Sequence, residues 1–321
     1  MSLTPPTLGR RDRHGKGEPT LARARVRRPS TAGISTIEMV TVIAVTGILS
    51  VGLAGILRHP MQGYSAVARR AELVELADLA LLRMSRDLRR SLPNSVRVSA
   101  SQDAIELLHV AAGARYRADP GTNPGTPAPV PHEDESDRLS FGGDASFNLF
   151  GRISGISFTY DEPLPEGTRV AIYPTGSDVW SAAAAQSTTG IITASGNPVT
   201  VVDDGDEDQI HLGSAHTFSL ESPRKRLYLV DTPVSYVCDP DAGSLWRIDR
   251  YAAGGAQPTR LDTVPLATGT RARAADRVEA CRFDYRPGTP ARSGLVTLEV
   301  VIASEGERVR LHHQVPIPNA P

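Results

Sequence analysis

The sequence predicts an α+β fold, a long N-terminal helix laid against an enlarged antiparallel β-sheet domain. Three observations point to it. Residues 39–57 carry no ionisable side chain, an apolar run inside AGISTIEMVTVIAVTGILSVGLAGIL at 32–57. Val67, Val74, Leu81 and Leu88 then recur at a constant interval of two helical turns, with Ala77 and Met84 offset between them, the spacing of an amphipathic helix. From Val96 onward the chain breaks into short β-rich runs among turn residues. With 28 Gly and 25 Pro against only 5% aromatics, this composition suits a loop-rich β domain better than a helical bundle.

Residues 1–33 form a leader. Arg10, Arg11, Arg13, Lys16, Arg23, Arg25, Arg27 and Arg28 outnumber Asp12 and Glu18, and no apolar periodicity is present. These cations hold the N-terminus in the cytoplasm and send the rest of the chain across a membrane. Residues 34–59 are the spanning helix, since roughly 20 apolar residues cross a bilayer core. Gly47, Gly52 and Gly55 within it permit close helix approach.

Pro60 is expected to break or kink the helix, because proline lacks an amide donor and clashes with the preceding turn. Residues 60–93 are the amphipathic continuation, its apolar stripe against a sheet. Arg69, Arg70, Glu72, Glu75, Arg83, Arg86, Arg89 and Arg90 form its solvent face, and Pro93 ends it.

Residues 94–321 form the β-rich domain. Strands are expected over 104–110, 153–160, 168–173, 227–237, 244–251, 278–285, 295–303 and 308–315, bounded by Gly, Pro or Asp. The Pro/Gly/acidic insertion RADPGTNPGTPAPVPHEDESDR at 117–138 reads as an exposed loop. Residues 181–195, rich in small side chains, read as a loop or a weak helix. The turn from Cys238 to Gly243 joins one hairpin, and Ser304 to Glu307 joins the last. Pro316, Pro318 and Pro321 should prevent further pairing at the C-terminus.

Two cysteines, Cys238 and Cys281, lie far beyond the apolar helix. The topology places them outside the cytoplasm, where disulfides persist. A bridge between them would contribute about 4 kcal/mol by restricting the unfolded chain. Two buried free thiols are the alternative.

Glu38 is a single carboxylate near the start of the apolar helix. A charge at that depth costs about 2.5–3.5 kcal/mol on insertion scales, so its presence points to function and to a partner. Spacing suggests one. A cut after Gly33 would leave Ile34 with a cationic amine and make Glu38 the fifth residue. In a staggered helical array, the amine of one subunit would neutralise the carboxylate of its neighbour.

The segment GISTIEMVTVIAVTGIL, from Gly33 to Leu49, resembles the class III signal of type IV prepilins, whose pattern is GFTLIELLVVIAIIGIL. Ile34 stands where phenylalanine is usual, and Ser35-Thr36 where Thr-Leu is usual. The resemblance implies cleavage after Gly33 by a prepilin peptidase, methylation of the Ile34 amine, and use of Glu38 in assembly. It also implies a pilin-like fold with a helical spine. The further segment QGYSAVARRAELVELADLALLRMSRDLRRSLPNSVRV resembles the MshO-type minor pilins of mannose-sensitive haemagglutinin (MSHA) pili. The implied partners are other major and minor pilins, the inner-membrane assembly platform and the membrane itself. The implied location is a single pass of the inner membrane with a periplasmic C-terminal domain, then the pilus at the cell surface. The size of the β domain suggests a tip or initiation subunit.

Other chemistry is sparse. Asp203, Asp204, Asp206, Glu207 and Asp208 make an oxygen-rich run of the kind calcium prefers, but their spacing is not that of an EF-hand, and a solvated acidic turn is the competing reading. His211 with His216, and His312 with His313, lack a third ligand at a zinc-like interval. Trp180 and Trp246 fit packing better than sugar binding. No GxSxG, HExxH, P-loop or dinucleotide fingerprint occurs, so no enzyme and no cofactor is expected. Formal net charge is −1, which argues against nucleic acid as a partner.

Two further readings remain at this stage. One is a minor pseudopilin of a type II secretion system, which shares the signal and the fold. The other is a periplasmic enzyme or ligand-binding domain held by an ordinary signal anchor.

Overall fold

The computed structural model describes residues 33–118, 137–175, 179–289 and 292–317, except that nothing is said of the side chains of residues 54–63 and 65. The leader and most of the 117–138 insertion therefore lie outside the described residues. The elements are α1 (Thr36–Arg89), β1 (Arg97–Val98), β2 (Ala104–Arg115), β3 (Asp144–Asn148), β4 (Arg169–Ile172), α2 (Val179–Ala184), β5 (Thr189–Gly190), β6 (Val199–Asp204), β7 (Glu207–Phe218), β8 (Arg226–Asp239), β9 (Ser244–Asp249), β10 (Thr270–Asp276), β11 (Val278–Arg286), β12 (Gly294–Ser304) and β13 (Glu307–Ile317). The architecture is α+β, mostly antiparallel sheet with few helices. The chain divides into two units, Met1–Pro60 and Met61–Pro321.

In the first unit the described part of α1 is apolar and exposed. Its segment Thr36–Leu53 has mean hydropathy 1.9 and none of it is buried. Helical structure is assigned at Pro60 as well as on either side of it, where the sequence suggests a break or kink.

The second unit holds three sheets. The largest runs β1-β2-β8-β9-β10, with β4 also on β8. A second is the β11-β12-β13 meander, and a third joins β3, β6 and β5 to β7. All pairs are antiparallel except the two-residue match of β5 with β7. The principal core lies between the largest sheet, the meander and the last turns of α1. Leu73, Ala77, Ala80, Leu81, Met84 and Leu88 pack there on Ile105, Leu107, Tyr236, Phe283 and Val300. Fully burying each large side chain contributes about 1.5–3 kcal/mol.

Of the six stripe residues read from the sequence, Ala77, Leu81, Met84 and Leu88 are buried here. Val67 and Val74 are exposed, while Leu73 is wholly buried. An α-helix drifts by roughly 20° per heptad relative to a strict seven-residue repeat. The buried face therefore adds Leu73 and Ala80 to Ala77, Leu81, Met84 and Leu88, and leaves Val67 and Val74 outside it. Arg83, Arg86, Arg89 and Arg90 are exposed as expected. Asp87, at the edge of the stripe, ties the helix to the sheet. Its Oδ2 accepts Tyr236 Oη at 2.8 Å and Arg247 Nε at 2.7 Å.

The two expected hairpins form, β8 with β9 and β12 with β13. The strand expected over 153–160 does not. Gly151 and Gly155 take φ of +87° and +88°, conformations that interrupt an extended strand, and the segment is irregular. Pro316 does not end pairing either: it lies inside β13 opposite Leu295. β13 is an edge strand, where a missing N–H is tolerated. Pro318 and Pro321 lie outside the described residues. The residues read as a loop or weak helix over 181–195 contribute the end of α2 and the short strand β5.

Candidate functional site

Gly33 lies just before α1, and Glu38 falls in the first helical turn. A Cβ at position 33 would meet no atom within 4 Å, and the backbone there is not left-handed. The fold therefore places no demand for glycine at this position. Gly47 and Gly52 have the same open surroundings. Ile34 and Ile37 are 77% and 72% exposed, and Glu38 is exposed beside them. Met39 N donates to Ser35 O at 3.1 Å, and Thr41 Oγ1 to the Glu38 carbonyl at 2.9 Å. Among the described residues no cation pairs with the Glu38 carboxylate.

A segment of 18 residues rises about 27 Å as a helix, close to the roughly 30 Å hydrocarbon thickness of a bilayer. By length and composition it can cross a membrane. Apolar surface on this scale is unfavourable in water and calls for lipid or protein around it.

Cys238 and Cys281 are joined, their Cα atoms 6.1 Å apart. The bridge links β8 of the largest sheet to β11 of the meander, and among the described residues no cysteine is free.

The acidic run lies at the β6–β7 turn, and its carboxylates diverge. Glu207 is buried in an ion pair with Arg117, whose Nε lies 3.0 Å away. Asp208, also buried, accepts from Ile153 N at 2.6 Å and Tyr160 Oη at 2.9 Å. Asp203 takes Arg152 at 2.9 Å and Asp204 takes Asn148 Nδ2 at 2.7 Å, while Asp206 points to solvent. Among the described residues no group of three His, Cys, Asp or Glu side chains converges as a metal site would require. Four of its carboxylates form local pairs around the irregular 153–160 segment.

His211 hydrogen-bonds Gln209 at 2.5 Å, and His216 packs on Phe218 beneath Gly190 O at 3.2 Å; burial lowers the His216 pKa. His312 and His313 face Glu299 and Leu298 as strand neighbours. Trp180 is buried, donating to Ser95 O at 2.7 Å under the Arg97 guanidinium at 3.8 Å. Trp246 is half-buried, with Arg273 5.2 Å above its ring.

Sequence reasoning did not single out Glu106, a fully buried carboxylate near the start of β2. Its signal was a lone charge between Ile105 and Leu107. Arg97 Nε lies 2.6 Å from one oxygen and Tyr251 Oη donates to the other at 2.7 Å. Burial pushes its pKa from 4.5 up to about 7, against the lowering effect of both partners. The folded chain therefore holds this proton more tightly than the unfolded chain. The contribution of Glu106 to stability is greatest below pH 4.5, declines as pH rises to about 7, and is constant above. At 1.36 kcal/mol per unit the decline is about 3 kcal/mol. Urea unfolding of the parent and Glu106→Gln across this range should show their difference shrinking or reversing by that amount. A difference independent of pH would rule the assignment out.

Comparison with family models, with curated proteins and with solved structures finds no match.

Proposed function

We propose that this chain is a minor pilin-like subunit of a type IV pilus of the MSHA type, acting in assembly or initiation or at the tip. The leader is removed after Gly33, the Ile34 amine is methylated, and the apolar helix waits in the inner membrane with the β domain in the periplasm. Docking into the filament then pairs that amine with the Glu38 carboxylate of a neighbour. On this reading α1 is the spine, its first part in the membrane or filament core and its last turns on the sheet domain. The protein acts by assembling, not by catalysis, and its partners are the peptidase, other pilins and the assembly platform.

The observation that carries the reading is the coincidence of three features at one helix start. A glycine sits at a position where the fold does not need one. A single carboxylate lies five residues on, and Thr36–Leu53 is apolar with nothing covering it. An ordinary signal anchor accounts for the third feature alone.

The test is mass spectrometry of the N-terminal peptide from chain recovered from membranes. A peptide beginning at Ile34 with one added methyl is expected. A chain beginning at Met1, or cut elsewhere, would remove the partner of Glu38 and leave the signal-anchored reading in its place.

A further inference from the structure

β8 changes partner along one side. β4 covers it where Arg169 to Ile172 face Val230 to Leu227, and β9 covers it from Val234 to Asp239. Asp231, Thr232 and Pro233 fall in the gap between the two. Pro233 suits the gap, having no N–H to offer a ladder. A cavity of about 640 Å³ opens there, walled also by Arg169, Gln186 and Arg250, a volume in the range of small-molecule sites.

Arg169, the first residue of β4, is the anomalous wall residue. It is only 5% exposed, and its Nη1 donates to Ala183 O at 2.6 Å. Among the described residues no carboxylate lies within ion-pair distance of it. Burial lowers its pKa with no acidic neighbour opposing the shift. A guanidinium has five N–H donors and stays charged in proteins, and a buried charge is normally paired. The other ionic clusters of the domain follow that rule: Arg97 has Glu106, Arg117 has Glu207, and Arg247 has Asp87. Arg169 departs from it, and does so in the wall of a cavity.

The rest of the wall is polar. Gln186 Oε1 accepts from Ser195 N and Oγ at 2.9 and 2.8 Å, which fixes the amide and leaves its NH2 group as a donor. Arg250 is exposed at the mouth, its N held by Thr232 Oγ1 at 2.7 Å. Asp231 is bound to His109 Nδ1 at 2.7 Å, and Glu166 also lines the cavity. These two carboxylates disfavour a doubly charged phosphate but accept hydrogen bonds from hydroxyl groups.

We infer that this cavity binds a sugar acid, a single carboxylate on a hydroxyl-rich body. Arg169 takes the carboxylate in the two-pronged geometry that guanidinium favours. Gln186, Thr232, Asp231 and Glu166 meet the hydroxyls, and Arg250 adds attraction at the mouth. The site lies within the β domain and stands independently of the filament reading.

The test is titration of the detergent-solubilised full chain with galacturonate, glucuronate and N-acetylneuraminate, with galactose and inorganic phosphate in parallel. Saturable binding of at least one sugar acid is expected, with none for galactose or phosphate. Affinity should fall at least tenfold in Arg169→Gln and in Arg250→Glu. The second variant alters an exposed rim residue and decides the matter if the first does not fold. No binding of any sugar acid, equal binding of galactose, binding of phosphate alone, or unchanged affinity in Arg250→Glu would each overturn the proposal.

Discussion

Glu38→Ala is expected to be cut after Gly33 as the parent chain is, yet to disappear from filaments. The expectation follows from the filament reading proposed above. In the membrane the Glu38 carboxylate carries an insertion cost of about 2.5–3.5 kcal/mol, and docking relieves it by bringing a neighbour's amine within reach. Alanine removes the cost in the membrane and the relief in the filament together, so the bias toward leaving the bilayer is lost. A bias of that size corresponds to on the order of 100-fold in incorporation, at 1.4 kcal/mol per tenfold. The quantity to measure is the ratio of this chain in sheared filaments to that in membranes, with the N-terminal mass recorded on the same samples. Exposure of Glu38 in α1, with no bond from its carboxylate to the rest of the described chain, makes a folding defect an unsuitable explanation for the loss. Unchanged incorporation would sink the docking role.

How far the molecule was legible in its sequence depended on which interactions decide each element. The β12–β13 hairpin was readable because alternating apolar residues flank Glu305-Gly306 and the register follows locally. The apolar helix and its carboxylate were readable because the signal lies in one continuous segment. The 153–160 segment misled because Ile156, Phe158 and Tyr160 alternate as a strand would, while two left-handed glycines decide the backbone. β7 was hidden by its own polarity. It begins with Glu207 and Asp208, which are buried only because Arg117, Tyr160 and the 153 amide converge on them from distant positions. The same holds for Asp87 with Tyr236 and Arg247, and for Glu106 with Arg97 and Tyr251. Arg97 stands nine residues before Glu106 on the neighbouring strand, but every other partner lies far along the chain, and only the folded topology brings them together. Arg169 is the extreme case: what distinguishes it is the lack of a partner acid, which no local pattern carries.

The disulfide was legible because there are only two cysteines, and its removal carries the largest expected stability effect. Changing both Cys238 and Cys281 to Ser frees a loop with a sequence separation of 43 residues in the unfolded chain. That loss corresponds to about 4 kcal/mol in the chain-entropy account. The native connection around the bridge explains why the cost should not be absorbed. β10 passes into β11 through Arg277, held at φ +55°, so the chain itself crosses between the largest sheet and the meander there. Cys281 lies just beyond that corner, and Val278 N donates to Gly243 O at 3.0 Å across it. Bridge and corner together fix the two sheets over Leu245, Val278 and Phe283, all buried in one cluster with α1. Serine nearly keeps the volume but buries a hydroxyl at position 238, so the reduced parent, which keeps both sulfurs, reports the cross-link itself. In urea the midpoint should fall with no change in the native fold, and dithiothreitol should lower the parent by the cross-link's contribution, toward the level of the double variant. A loss under about 1 kcal/mol would mean that the unfolded chain already keeps these segments together, and the corner at Arg277, not the bridge, would then be what unites the sheets.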